Sequence, residues 1–392
     1  MINLHEATKD FQKYQLPYDL NLVSGKILPK PHIAYETYGV LNINKTNAIL
    51  VCHGFTGDQF AASQHPITKK EGWWQGLIGS GKAIDTDHYF VISTNVIGGA
   101  MGSTSPCTIN PNTGQFYGVD FPLITITDMM NAQLGLLDYF GIDTLLCAVG
   151  GSMGGMQILE LARLATDRVK AIIPIACSWR HSAQNIAFNE IGRRAVMSDP
   201  DWHKGDYLNH NLKPSRGLSL ARMVAHITYM SEQSLQQKFG RNLQTQEFFS
   251  YNLEPDFQVE NYLQYQGTSF VERFDANCYL YLTRALDYFD LTTHSSDPAS
   301  HNNICNKKSL REVFQHTKTK FCFIAFTTDW LFPPSESQDM VRALNAIDCD
   351  VSFVVIDSNK GHDSFLLDHP EMLSAVKGFL NGIAKNEGIA CE

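Results

Sequence analysis

The sequence predicts an α/β fold with a mostly parallel central sheet and helices on both faces. Three observations carry that prediction. Short, largely apolar runs recur along the chain, as strands buried on both faces require; Ala48–Cys52 and Lys170–Cys177 are two of them. Segments with helical spacing alternate with these runs, which is the order that builds parallel crossovers. Glycine-rich stretches follow several of the runs, at the carboxyl ends of strands where open α/β sheets bind ligands.

In chain order, Ile33–Gly39 alternates and is rich in β-formers, as in a half-exposed strand. Ala48–Cys52 is a buried strand that ends in the turn-rich loop His53-Gly54-Phe55-Thr56-Gly57-Asp58. Tyr89–Val96 is the next strand and leads into a second glycine-rich loop, Ile97–Pro106. A helix is expected to run to about Phe140, with a threonine as N-cap and Gly141 closing it. Thr144–Val149 is a further buried strand, and Met156–Ala162 has helical spacing.

From about Ser178 to Asp297 the texture changes to polar, aromatic-rich helical segments, the longest being Arg216–Met230. We read residues 178–297 as an inserted helical lid, with Thr292–Pro298 as the exit linker, and residues 1–177 and 298–392 as one α/β core. The core resumes with strand Lys320–Thr328, a helix from Ser335 to about Asn345, strand Val351–Asp357 and a terminal helix from about Pro370.

Composition narrows the function. A formal charge of −9 with no basic tract argues against nucleic acid as a partner. Nine scattered cysteines with no C-x-x-C spacing fit a reducing, cytoplasmic setting and argue against structural zinc. The N-terminus lacks a basic start and apolar stretch, and no apolar run is long enough to cross a bilayer, so no membrane association is expected.

The chain is organised around Gly150-Gly151-Ser152-Met153-Gly154. Set between a buried strand and a helix, it fits G-x-S-x-G, the sharp turn that lifts a serine hydroxyl clear of the sheet. A Gly-rich turn can also merely tighten packing or hold a phosphate. No lysine follows the glycines, which excludes a Walker-type loop. The partners a serine nucleophile needs then appear downstream in the order that an α/β-hydrolase requires: Asp329 after the resumed strand and His362 after the last one. His362 would take the Ser152 proton, and Asp329 would fix the imidazole tautomer. Asp357 and Asp363 are the competing carboxylates and the weaker candidates. The oxyanion donors are expected to be the N–H of Met153 and, from the His53–Gly57 loop, the N–H of Phe55.

These residues and several longer motifs resemble the homoserine O-acetyltransferase family of the α/β-hydrolase superfamily. The motifs are Ala34-Tyr35-Glu36-Thr37-Tyr38-Gly39, Gly72-Trp73-Trp74, Asn95-Val96-Ile97-Gly98-Gly99, Gly150–Gly155, Ala225-His226-Ile227-Thr228-Tyr229 and Gly361-His362-Asp363. The resemblance implies ping-pong transfer of an acetyl group from acetyl-CoA, through an acyl-serine, to the hydroxyl of L-homoserine for methionine synthesis. It implies no permanently bound cofactor or metal, a helical lid, and a homodimer formed through that lid. It also implies that Arg222, Tyr229 and Asp363 hold the amino-acid substrate. The chain departs from the family pattern at Gly54-Phe55 and at Gly102-Ser103-Thr104-Ser105-Pro106, changes expected near the acyl group. Succinyl-CoA as donor, serine as acceptor, and an esterase or thioesterase with water as acceptor are the alternatives.

Overall fold

The computed structural model describes residues 4–245, 247–293 and 309–389. An eight-stranded sheet forms its centre: β1 (Lys13–Gln15), β2 (His32–Tyr38), β3 (Ala48–Cys52), β4 (Phe90–Thr94), β5 (Cys147–Gly151), β6 (Ala171–Ile175), β7 (Lys320–Phe326) and β8 (Val351–Ile356). Their spatial order is β1-β2-β4-β3-β5-β6-β7-β8. β2 pairs antiparallel with both β1 and β4, and every pairing from β4 to β8 is parallel.

Apolar runs become central strands here because both faces are covered. Along β3, Ala48, Leu50 and Cys52 join one apolar cluster, while Ile49 and Val51 join the other. The first cluster takes in α1 (Ile126–Phe140) and α2 (Met153–Leu164) through Met129, Leu136, Met156 and Leu159. The second takes in α8 (Pro370–Asn386) through Met372, Val376 and Leu380. Helix α1 is bounded as its sequence requires. Thr125 and Asp128 form a reciprocal cap at its start, and Gly141 closes it with φ 64°.

The strand before the serine lies further along the chain than its apolar run suggested. β5 spans Cys147–Gly151, and Leu145 only bridges to Val169. Glycine occupies the last two positions of β5 because a Cβ there has no room, lying 2.3 Å from the Gly154 carbonyl oxygen at Gly150 and 2.3 Å from the Phe365 ring at Gly151. Helix α2 likewise begins at Met153, without an intervening loop.

Between Ala183 and Tyr288 the described residues form four longer helices, α3 (Ala183–Met197), α4 (Ser215–Tyr229), α5 (Gln258–Arg273) and α6 (Ala276–Tyr288), besides a short helix at Glu232–Lys238 and shorter turns. The ends of this helical segment are tied together at Trp179–Leu291 and Arg180–Asp290. Its last helix is fused to the core: Tyr281 Oη donates to the carbonyls of Val119 and Phe121. The exit linker expected at Thr292–Pro298 falls outside the described residues from position 294, as does the 297/298 boundary. The core closes with α7 (Pro334–Asn345), β8 and α8.

Candidate active site

Ser152 is held in a conformation few residues adopt, with φ 58° and ψ −122°. Backbone in such a region costs roughly 1–3 kcal/mol and persists only where packing enforces it. The flanking glycines show the enforcement. A Cβ on Gly154 would lie 2.0 Å from the Cys52 carbonyl oxygen, and one on Gly150 would lie 2.3 Å from that of Gly154. Gly154→Ala must therefore push α2 off β3. Overpacking typically costs about 1–3 kcal/mol, so a thermal melt should fall by a few degrees and activity should fall with it. An unchanged melt with unchanged activity would contradict this account of the turn.

The three residues singled out as a triad converge on one point. His362 Nε2 is 2.9 Å from Ser152 Oγ, and His362 Nδ1 is 2.8 Å from Asp329 Oδ2. Asp329 is oriented by its own turn, since its Oδ1 accepts from the amides of Leu331 and Phe332. The imidazole sits among the rings of Phe332, Phe365 and Tyr229, with centroids 5.2, 5.2 and 5.9 Å away. All three triad side chains are buried, so their mutual hydrogen bonds meet little competition from water. Asp357 stands elsewhere and accepts from Thr327 Oγ1.

Met153 supplies the first amide of α2, which has no partner within its helix. Phe55 sits in the turn Gly54–Gly57, closed by the Gly57 N–H on the Gly54 carbonyl at 2.9 Å. The Gly54 carbonyl also lies 2.6 Å from His53 Nδ1. Because the Val96 amide donates to His53 Nε2, the proton is on Nδ1, which donates to Gly54. Burial lowers the pKa of His53, keeping it in this neutral form. Nothing in the spacing of the loop pointed to this role for His53.

Ser152 borders two cavities. One, of about 240 Å³, is also lined by Arg222, Tyr229, Arg273, His362 and Asp363. Arg222 donates to Thr56 Oγ1 at 3.3 Å, and its guanidinium lies 4.8 Å from the Phe270 ring centroid and 5.4 Å from that of Tyr229. Burial raises the pKa of the Asp363 carboxyl, opposed by the charges of His362 and Arg222. Among the described residues, neither Arg222 nor Arg273 has a carboxylate within ion-pair distance. The second cavity, of about 50 Å³, is mostly apolar, with Phe55, Tyr279, Leu331 and Phe332 in its wall and no lysine or arginine.

Two expectations need amending. The loop Ile97–Pro106 lines neither cavity. It turns instead toward β2: Ser103 Oγ accepts from the Ala34 amide and donates to the Asn95 carbonyl, while Thr104 Oγ1 accepts from the His32 amide. The departures at Gly102–Pro106 thus belong to packing at the antiparallel end of the sheet. The Gly72-Trp73-Trp74 motif, by contrast, supports the site: Trp74 Nε1 donates to the Phe365 carbonyl and Trp73 Nε1 to that of Asp58.

The α/β hydrolase fold model matches residues 47–369. Homoserine O-acetyltransferase of Rhodospirillum rubrum is 55% identical over 370 residues, spanning 94% of this chain and 92% of the relative. That of Rhodopseudomonas palustris (strain CGA009) is 52% identical over 99% of both chains. Among solved structures, homoserine O-acetyltransferase from Bacillus anthracis superposes with a TM-score of 0.83 at 28% identity, covering 94% of this chain and 97% of that one. Esterase E22 superposes equally closely, with a TM-score of 0.82 at 28% identity over 94% and 99%. Shape alone therefore does not separate transferase from esterase, whereas identity above one half over nearly the whole chain does: the chain belongs to the homoserine O-acetyltransferase family of the α/β hydrolase fold.

Proposed function

We propose that the chain transfers an acetyl group from acetyl-CoA to the hydroxyl of L-homoserine, in methionine biosynthesis, by way of an acetyl-Ser152 intermediate. His362 takes the Ser152 proton as Oγ attacks the thioester carbonyl. The C–S bond breaks, and His362 returns the proton to the departing CoA sulfur. Homoserine then enters, gives its hydroxyl proton to His362 and attacks the acyl-serine; Ser152 Oγ leaves and recovers the proton. Asp329 holds the imidazole, and the amides of Phe55 and Met153 stabilise the oxyanion of each tetrahedral intermediate.

The observation that carries this reading is the pair of opposite charges beside Ser152. Arg222 and Asp363 line the same cavity as the serine and His362. A guanidinium suits the carboxylate of an amino acid, a carboxylate suits its ammonium, and Tyr229 lines the cavity with them. A hydrolase acting with water has no use for this arrangement. The smaller cavity supports acetyl as the acyl group: it is small and mostly apolar, and its one histidine, His181, is already paired with Asp287, so a succinyl carboxylate placed there would be buried without a free cation. Residues 178–297 act in this reading as a lid that excludes water and carries Arg222 and Tyr229. Pairing of two copies through the lid is supported by the exposed Phe248, Tyr251 and Leu253. A cytoplasmic setting is supported by seven free cysteines among the described residues, with Cys107 and Cys278 hydrogen-bonded at an Sγ–Sγ distance of 3.8 Å and not joined in a disulfide. No helix among the described residues is long and apolar enough to cross a membrane.

The test is an assay of acetyl-CoA and succinyl-CoA against L-homoserine, L-serine and water. Preferred use of succinyl-CoA or serine would overturn the substrate assignment, and CoA release indifferent to either amino acid would make the protein a thioesterase. Arg222→Ala should raise the homoserine KM or cut transfer by about 10- to 100-fold, as loss of a charge-assisted pair does, while acylation of Ser152 stays near normal. A matching fall in single-turnover acylation would move Arg222 out of the acceptor site.

A further inference from the structure

Arg273 matches none of the motifs that point to chemistry, yet it lines the Ser152 cavity at the last position of α5. Its Nη1 donates to the Thr56 carbonyl at 2.9 Å. That carbonyl belongs to the same peptide unit as the Gly57 N–H, which donates to the Gly54 carbonyl at 2.9 Å. The Gly54 carbonyl in turn shares its peptide unit with the Phe55 N–H. The bonds therefore form a relay: guanidinium, Thr56–Gly57 peptide, Gly54–Phe55 peptide, and then whatever the Phe55 N–H faces.

We infer that Arg273 is a positioning residue for the oxyanion hole, fixing and polarising the Phe55 N–H through two hydrogen-bonded peptides and so making that donor depend on the helical segment above it.

The inference rests on the assignment of Phe55 as an oxyanion donor. Its physics is that of hydrogen-bond chains: a cation at the head withdraws electron density from each carbonyl in turn, and each N–H beyond becomes a stronger donor. A turn held at both ends also need not reorganise when negative charge develops on the substrate oxygen. The core holds one end, through His53 on Gly54. Arg273 holds the other, at the Thr56 carbonyl. Burial and the nearby charge of Arg222 lower the Arg273 pKa to about 10, which leaves it protonated at neutral pH. The helical segment from 183 to 288 thus holds a backbone carbonyl of the catalytic turn through Arg273, and a displaced α5 would loosen the donor.

The experiment separates donor chemistry from acceptor binding. Arg273→Ala and Arg273→Lys are compared with wild type in three measurements: single-turnover acylation by acetyl-CoA and by p-nitrophenyl acetate, the homoserine KM, and inhibition by 1,1,1-trifluoroacetone, whose serine adduct carries the same oxyanion. Loss of a whole oxyanion donor costs roughly 10²–10³ in rate, so weakening one should slow acylation by about 10- to 100-fold. Inhibitor affinity should fall in step, the homoserine KM should hold within about twofold, and lysine, which keeps the charge and one donor, should recover part of both losses. Should the alanine variant melt early, the lysine variant alone decides. Acylation at the wild-type rate with a raised homoserine KM would overturn the inference and assign Arg273 to the acceptor. Slow acylation with unaltered inhibitor affinity would overturn it too, as a general structural effect. A wild-type enzyme that acylates but does not pass the acetyl group to homoserine would sink the proposed function, yet leave the comparison of acylation rates readable.

Discussion

Ser152→Ala is expected to reduce acetyl transfer by on the order of 10⁶, the loss seen when a triad nucleophile is removed. The reason is chemical. An alcohol is a weak nucleophile at neutral pH, and in the proposed route the 2.9 Å contact with His362 Nε2 activates this one. Direct attack of homoserine on acetyl-CoA would remain open to the variant, aided only by the oxyanion donors and by proximity. Those contribute far less without the covalent step. The same substitution should abolish the acetyl-enzyme, detected in wild type as one acetyl added to the Ser152 peptide after brief mixing with acetyl-CoA. An alanine variant retaining a tenth of the activity, or an acetyl group found on another residue, would rule out the acyl-serine route. The substitution should leave the fold in place. The alanine would inherit the positive φ of Ser152, which the packing of Gly150 and Gly154 against neighbouring backbone enforces whatever the side chain.

Why that serine was legible in the sequence, and Arg273 was not, follows from where each gets its geometry. Ser152 is placed by its immediate neighbours: a strand, two glycines and a helix, all contiguous. The buried strands β3, β6 and β7 announce themselves for a similar reason, since burial on both faces demands an unbroken apolar run. Asp329 and His362 needed one long-range assumption, that their strands β7 and β8 continue the sheet in order beyond β5 and β6, and chain order supplied it. Arg273 meets Thr56 across 217 residues and at a backbone carbonyl, which carries no side-chain signature. His53 could be seen as part of a loop, but its tautomer depends on the Val96 amide, 43 residues away. Phe365 and Phe332, which wall the imidazole, look like ordinary core aromatics in sequence. The loop Ile97–Pro106 misled for the opposite reason. It sits at the carboxyl end of a strand, but β4 lies on the far side of β3 from β5, and its Ser103 and Thr104 serve the contact with β2.

Asp329→Asn should cost roughly 10⁴ in turnover while the protein folds normally, the effect of an amide in place of a triad carboxylate. The Asp329 Oδ1 accepts two backbone N–H groups, from Leu331 and Phe332, so the amide of the variant will keep its oxygen there and turn its NH2 toward His362. An NH2 group cannot accept a proton from Nδ1. The imidazole must then hold its proton on Nε2, and a protonated Nε2 cannot receive the proton of Ser152. The loss therefore comes from a wrong tautomer rather than a missing charge, and it should ease at high pH as hydroxide begins to deprotonate the serine directly. Asp357→Asn is the control, because that carboxylate accepts from Thr327 Oγ1 at the exposed end of β8 and does not touch the imidazole. Its variant should lie within a few-fold of wild type. The two turnover numbers, measured side by side with the thermal melts of both variants, decide which carboxylate serves His362. A larger loss at 357 than at 329 would mean that the 2.8 Å contact between Asp329 and His362 is not the one catalysis uses.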